Sequence, residues 1–140
     1  MPSRESQSDR LRVDVAGPTA LGDAVAAARR FGLDQGLGER DRARLNIIVE
    51  ELVTNLCEHG LCDLDHRIGL ELNCRDSLIE VALEDNGPPF DPRNVDDERE
   101  IPSRGGGAGL RLVNSWSSIA GYNSANGRNR LELELRLSGS

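Results

Sequence analysis

Apolar and polar residues alternate with a period of two in four stretches of the chain, the pattern of a β-strand with one buried face. The buried face is predicted to carry Leu11, Val13 and Val15, then Ile68, Leu70, Leu72 and Cys74, then Ile79, Val81 and Leu83, and finally Leu131, Leu133, Leu135 and Leu137. Arg75, Asp76 and Ser77 separate the second and third stretches and predict a hairpin turn. A fifth strand is expected to begin within residues 119–122.

Three other segments repeat apolar residues at helical spacing. The first is predicted to begin after Thr19 as N-cap and to end at Gly32, and the second to run from residues 39–41 to Gly60. The third begins at Leu110 and reaches Trp116. The order strand, helix, helix, strand, strand, loop, helix, strand, strand predicts an α+β fold. We expect a two-layer sandwich, with helices on one face of a mixed, mostly antiparallel sheet.

The second predicted helix carries both a core stripe and a polar column. Its apolar stripe consists of Leu45, Ile48, Val49, Leu52, Val53 and Leu56. Glu51, Asn55 and His59 are four residues apart, so they stack on one side of the helix at the margin of that stripe. Such a column is often only a solvated flank. The second half of the chain favours a binding role instead.

Asp85 is in phase with the buried positions of the third predicted strand, so its carboxylate is expected to face the core. An inward carboxylate is costly unless another group pairs with it. The alternative is a turn residue that caps Asn86 and Gly87. The pattern of the strand leaves both interpretations open.

A polar segment from Pro88 to Arg104 separates the third strand from the third helix, and loops of this length are usually functional or disordered. It leads into Gly105, Gly107 and Gly109 at the start of the helix. Backbone N–H groups and the helix dipole at such a position favour an anion such as phosphate, although a flexible hinge would have the same composition. The spacing is not that of a dinucleotide-binding fold.

Composition narrows the classes of function. The 140 residues predict one domain over 10–138 after a frayed segment 1–9, and the net charge of −7 argues against binding to a nucleic-acid backbone. All 17 basic residues are arginine, which excludes P-loop and Schiff-base lysine chemistry. Cys57, Cys62 and Cys74 lack CxxC spacing, so reduced thiols are expected. With no apolar run long enough for a membrane span, we expect a cytoplasmic protein.

Three motifs in order resemble those of the Bergerat-fold ATPases, the group that includes gyrase and the histidine kinases. Residues 51–55 with His59 resemble the N box, residues 85–92 the first glycine box, and residues 105–110 the second. The sequences EELVTN…EHG and DNGPPFDP are most similar to the small anti-sigma factor serine/threonine kinases of bacterial partner-switching systems. The resemblance covers nearly the whole chain.

The resemblance implies a nucleotide site with a defined role for each residue. Asn55 would be the protein ligand of Mg²⁺, with ATP phosphates and water completing the coordination. Asp85 would accept a hydrogen bond from the exocyclic amine of adenine and disfavour guanine. Gly87 would let the backbone approach the base.

It also implies the catalytic and phosphate-binding residues. Glu51 would be the general base that takes a proton from the incoming hydroxyl, and His59 would be structural. Residues 89–109 would form a lid over ATP, from which Arg104 could reach the γ-phosphate. The remaining cofactor-binding residues would be Gly105, Gly107, Gly109 and Leu110.

The function implied is that of an anti-sigma factor serine/threonine kinase. Such a protein holds a sigma factor or similar regulator and phosphorylates a small STAS-type antagonist, and homodimers are expected in the family. The alternative is a non-catalytic regulatory module that keeps the fold and acts by binding alone. A histidine kinase catalytic domain fits less well, because the sequence shows no helical-hairpin dimerisation segment. No direct contact with nucleic acid or membrane is expected.

Overall fold

The computed structural model describes residues 9–60, 67–87, 113 and 115–138, with the side chains of 58–60 excepted. In chain order the elements are β1 (Arg10–Ala16), a 3₁₀ turn (Gly17–Thr19), α1 (Ala20–Asp34), α2 (Glu39–Gly60), β2 (Arg67–Arg75), β3 (Leu78–Asp85), β4 (Ser117–Ala125) and β5 (Arg128–Arg136). Val113, Ser115 and Trp116 are helical, and the rest of the third predicted helix lies outside the described residues.

The five strands form one sheet in the order β1-β2-β3-β5-β4. The predicted α+β fold with a mostly antiparallel sheet is confirmed, and every strand pairing among the described residues is antiparallel. The reason lies in the connections. Short turns join β2 to β3 and β4 to β5, and the chain passes through two helices between β1 and β2, which lets it return in the opposite direction.

The core lies between α2, α1 and one face of the sheet, here called the inner face. The predicted apolar stripe of α2 lies there: Leu45, Ile48, Val49 and Val53 are fully excluded from solvent, Leu52 is also buried, and Leu56 is partly buried. The facing strand residues that are also less than 2% exposed are Ile68, Leu70, Leu72, Ile79, Val81, Leu133 and Leu135. Branched aliphatic side chains therefore supply the hydrophobic stabilisation in a chain with few aromatic residues.

The first helix extends two residues beyond its predicted end. Gly32 lies within α1 and is buried. A Cβ atom added at Gly32 would lie 3.2 Å from Cγ of Arg42, which is a tight contact. Gly36, with φ of +72°, follows the helix instead. The N–H of Leu37 donates to the carbonyl of Gly32 at 3.0 Å, which is the hydrogen bond of a glycine-terminated helix end. Gly32 thus serves close packing between the helices.

A two-residue turn joins β4 to β5 and sets their register. Asn126 and Gly127 both have positive φ, 56° and 76°, as a type I′ hairpin turn requires. The turn places Ala125 opposite Arg128 in β4–β5. In the neighbouring pair, Asp85 of β3 lies opposite Asn129 of β5.

Asp41, in the first turn of α2, is only 3% exposed. Both of its carboxylate oxygens accept hydrogen bonds from the backbone N–H of Ser138 at 3.1 Å, and the Ser138 hydroxyl donates to one of them at 3.1 Å. These hydrogen bonds satisfy the buried charge and hold the residues after β5 against the start of α2.

The outer face of the sheet carries a network of ion pairs, here called the outer ion cluster. It comprises Arg12, Asp14, Glu71, Glu84, Arg128, Arg130 and Glu132. Arg130 is central: its guanidinium lies 2.7 Å from Glu84 and 3.1 Å from Glu71. Gly69 leaves room for Arg12, because a Cβ at Gly69 would collide with the Arg12 guanidinium.

Hydrogen bonds from Arg130, and then from Arg12, hold the pKa values of both Glu71 and Glu84 below their ordinary value of 4.5. The folded-state pKa values are thus lower than those of the unfolded chain. The ion pairs therefore stabilise the fold above pH 4.5, and this contribution is lost as the pH falls through the folded-state values.

Replacing Arg130 by glutamine is expected to lower the free energy of unfolding at pH 7, and to have progressively less effect as the pH falls through the lowered pKa values and the glutamates become protonated. Urea denaturation of both proteins across this pH range measures the difference. Arg136→Gln, at an exposed position on the same strand, is the control and should have a small effect with little dependence on pH. A loss of stability that is equal at every pH would show that Arg130 acts through packing alone.

The cysteines differ from the expectation of three reduced thiols. Cys57 is disulfide-bonded, whereas Cys74 is free and its pKa is raised by burial. The prediction for Cys57 was wrong because a disulfide depends on the distance and direction between two Cβ atoms, which the spacing of cysteines in a sequence does not give.

No helix in the described part of the chain combines the length and the apolar character needed to cross a lipid bilayer.

Candidate functional site: a polar cavity between the second helix and the sheet

Asp85 lies at the end of β3 on the inner face and is 5% exposed, as the alternation of the strand predicts. The backbone N–H of Gly87 donates to its Oδ2 at 2.8 Å, which is the contact of a turn-capping residue. Both interpretations of Asp85 are therefore correct at once: the carboxylate faces inward and also caps the turn that follows. The hydrogen bond from Gly87 offsets part of the free-energy cost of burying the carboxylate.

Asn129 is the second buried polar residue of the site, and the sequence analysis missed it. It is 4% exposed and lies directly opposite Asp85 in the sheet. Its side-chain amide donates to Oδ1 of Asp85 at 3.2 Å and to the carbonyl oxygen of Gly87 at 2.9 Å. Asn129 is in phase with the apolar positions of β5, so the alternation used for Asp85 could have identified it.

Asn55 and Glu51 lie one turn apart on α2, and both side chains are partly exposed. The residues next to them on the helix, Leu52 and Val53, are buried. The column predicted at the margin of the core therefore exists for these two residues. The side chain of His59, the third member, lies outside the described residues.

Asn55 and Asp85 line one small cavity between α2 and the sheet. Its other walls are Leu52, Leu56, Leu83, Tyr122, Asn129 and Leu131. The volume is about 20 Å³, which corresponds to one water molecule. Asn55 and Asp85 thus border the same space, together with aliphatic side chains.

Larger cavities lie on the outer face of the sheet. One of about 630 Å³ is lined by Arg12, Glu71, Ala82 and Arg130, and another of about 310 Å³ extends past Gly69 to the end of β3. These hollows follow the outer ion cluster, whose charges already pair with one another. Size alone does not make them the better candidate, because Asn55 is not among their lining residues.

Several residues of the predicted nucleotide site lie outside the described residues. They are Arg104, Gly105, Gly107, Gly109 and Leu110. The predicted lid, residues 89–109, and residues 1–8 of the predicted frayed segment lie outside them as well. The part of the predicted site that the structure describes is thus the helix carrying Glu51 and Asn55, and the turn carrying Asp85 and Gly87.

The fold is shared with histidine kinases of known structure. The catalytic domain of histidine kinase ThkA, in a nucleotide-free form, superposes with a TM-score of 0.53 at 11% identity, covering 91% of this chain and 97% of that one. The histidine kinase domain of a blue-light-activated kinase from Erythrobacter litoralis superposes with a TM-score of 0.53 at 18% identity, covering 86% of this chain and 60% of that one. Histidine kinase AdeS from Acinetobacter baumannii superposes with a TM-score of 0.52 at 15% identity, covering 99% of this chain and 73% of that one.

No curated protein sequence matches the chain. A family model described as the histidine kinase-like ATPase domain matches residues 15–135. This match begins in β1 and ends in β5, so it includes Glu51, Asn55, Asp85 and both hairpins of the sheet. The chain therefore belongs to the family of histidine kinase-like ATPase domains.

Proposed function

We propose that this protein binds ATP with Mg²⁺ and acts as a serine/threonine kinase of the anti-sigma factor type. The observation that carries the proposal is the shared cavity of Asn55 and Asp85, two groups suited to opposite ends of a nucleoside triphosphate. The membership in an ATPase family supports the nucleotide. The motifs EELVTN…EHG and DNGPPFDP support the anti-sigma type.

The chemistry of the cavity suits adenine at its sheet side. The cavity is too small for a purine, so the base would present its edge to Asp85 from the mouth of the cavity. A carboxylate accepts hydrogen bonds and so pairs with the exocyclic amine of adenine, whereas guanine has a carbonyl oxygen at that position. Each carboxylate oxygen can accept more than one hydrogen bond, so the contacts from Gly87 and Asn129 are compatible with this role.

Asn55 on α2 would hold the metal through its amide oxygen. A single side-chain ligand suits Mg²⁺, which keeps water and substrate oxygens in most of its positions. Bound there with ATP, the ion would neutralise part of the phosphate charge. Glu51, one turn earlier on the same helix, would accept the proton of the attacking hydroxyl.

The proposed partners are a sigma factor or similar regulator and a STAS-type antagonist that carries the acceptor serine or threonine. A homodimer is part of the same proposal. In such a system, phosphorylation of the antagonist changes which partner the kinase holds.

The test is to incubate the protein with γ-labelled ATP, Mg²⁺ and candidate STAS-type antagonists. We expect label on the antagonist that survives acid, as phosphoserine and phosphothreonine do, and no transfer without Mg²⁺. Acid-labile label would identify histidine as the acceptor and contradict the serine/threonine assignment. Mg²⁺-dependent ATP binding without transfer to any antagonist would support the non-catalytic regulatory module instead.

A further inference from the structure

The buried side chain of Asn129 makes three hydrogen bonds at the end of the sheet, with buried Asp85, partly buried Gly87 and exposed Ser124. Its Nδ2 donates to Asp85 and to the carbonyl of Gly87. Its Oδ1 accepts a hydrogen bond from the hydroxyl of Ser124 at 2.6 Å. Ser124 is on β4 and lies opposite Asn129 in the register of the β4–β5 hairpin.

These contacts allow the amide only one orientation. A side-chain amide has two N–H donors, and both are used. Rotation by 180° would place the amide oxygen against two acceptors, the carboxylate of Asp85 and the carbonyl of Gly87. The Ser124 hydroxyl can accept as well as donate, so the two acceptors decide the orientation, and Ser124 holds the amide oxygen in it.

The fixed amide in turn fixes the carboxylate. Oδ1 of Asp85 receives a hydrogen bond from Asn129, and Oδ2 receives one from the backbone of Gly87. Two donors on different oxygens define the plane of the carboxylate. Because Asn129 also holds the Gly87 carbonyl, it ties the acid to the turn that follows β3.

We propose that Asn129, held by Ser124, is a positioning residue that sets the direction in which Asp85 accepts a hydrogen bond from the base. This inference rests on the proposed nucleotide site. Hydrogen bonds weaken steeply away from a linear geometry, so a carboxylate free to rotate would discriminate less well between an amine and other groups on a purine. Selectivity would thus depend on a residue that acts through Asp85.

The experiment compares binding of ATP with that of purine riboside triphosphate, which lacks the exocyclic amine. Isothermal titration with Mg²⁺ gives the two Kd values, and their ratio measures how much the amine contributes. Asn129→Leu removes both donors at similar volume. Ser124→Ala keeps the donors but removes the hydrogen bond that holds the amide oxygen. Ser118→Ala is the matched control, because Ser118 is exposed on the same strand, as Ser124 is, but lies opposite Glu134 instead of Asn129.

We expect the wild-type protein to prefer ATP by at least about tenfold, as a hydrogen bond to a charged group allows. Asn129→Leu should reduce this ratio roughly tenfold, mainly by weakening the binding of ATP. Ser124→Ala should reduce the ratio by about threefold, a smaller effect because both donors of Asn129 remain. Ser118→Ala should leave it unchanged.

A merely structural role would give a different result. The melting temperature of each variant reports any loss of stability. A general loss of order in the site would weaken the binding of both nucleotides equally and leave the ratio unchanged. An unchanged ratio in Asn129→Leu or Ser124→Ala would therefore overturn the inference while leaving the proposed nucleotide site intact. Absence of ATP binding by the wild-type protein would overturn the proposed function and this inference with it.

Discussion

Replacing Glu51 by alanine is expected to lower the rate of phosphotransfer to the antagonist by roughly 10²–10⁴-fold, the usual contribution of a general base. ATP affinity should change little, because Asn55 and Asp85 would make the contacts assigned to the nucleotide. Glu51 lies one helical turn from Asn55, so it would face the phosphate end of the site. Single-turnover transfer of labelled phosphate measures the rate, and titration with ATP measures the affinity.

The adjacent residue provides a matched control for this experiment. Glu50 has the same side chain on the same helix, but it is exposed and lies outside the polar column. Glu50→Ala should therefore retain the wild-type rate. Equal rates for the Glu51 variant and the wild-type protein would remove Glu51 from the catalytic role, and equal losses in both variants would indicate an effect on the helix rather than on proton transfer.

Asp85→Asn should weaken ATP binding by roughly ten- to a hundredfold, the range expected when a charge-assisted hydrogen bond is lost. The change replaces one carboxylate oxygen by an amide NH₂ group, which donates. That NH₂ group would face either the N–H of Gly87 or the side-chain NH₂ of Asn129, both of which are donors. The variant therefore loses the acceptor for adenine and also disturbs the hydrogen bonds that hold the turn.

Asp76→Asn is the control for this second variant. Asp76 is an exposed turn residue with φ of 53°, a conformation that asparagine tolerates well. Fluorescence titration with a labelled adenine nucleotide should give the wild-type Kd for this control. If Asp85→Asn bound ATP as tightly as the wild-type protein, Asp85 would have no place in the base pocket.

Much of the fold could be predicted because its periodicity is local. The strand pattern placed Asp85 on the inner face, and helical spacing placed Leu45 and Ile48 in the core. Strand direction could not be predicted in the same way, because it depends on how distant segments return to the sheet. The end of the first helix was misplaced for a related reason: Gly32 lies against the side chain of Arg42, a contact between two helices.

In the candidate site, too, local periodicity identified some residues, whereas contacts between distant segments could not be predicted. Asp85 was found from its phase in the strand, and Asn129 has the same phase in β5 but was not singled out. Its importance depends on strand order, since β5 rather than β4 is the neighbour of β3. The role of Asp41 was hidden in a similar way, because its partner Ser138 is 97 residues away in the chain.

The Asn126–Gly127 turn connects hairpin geometry to the proposed choice of nucleotide. Neither residue is part of the cavity, yet together they determine which residue of β4 stands opposite Asn129. A one-residue slip in this hairpin would send the side chain of Ser124 to the outer face, away from the Asn129 amide, since strand side chains alternate. Insertions or β-branched substitutions at this turn would consequently alter the proposed preference for adenine from outside the binding site.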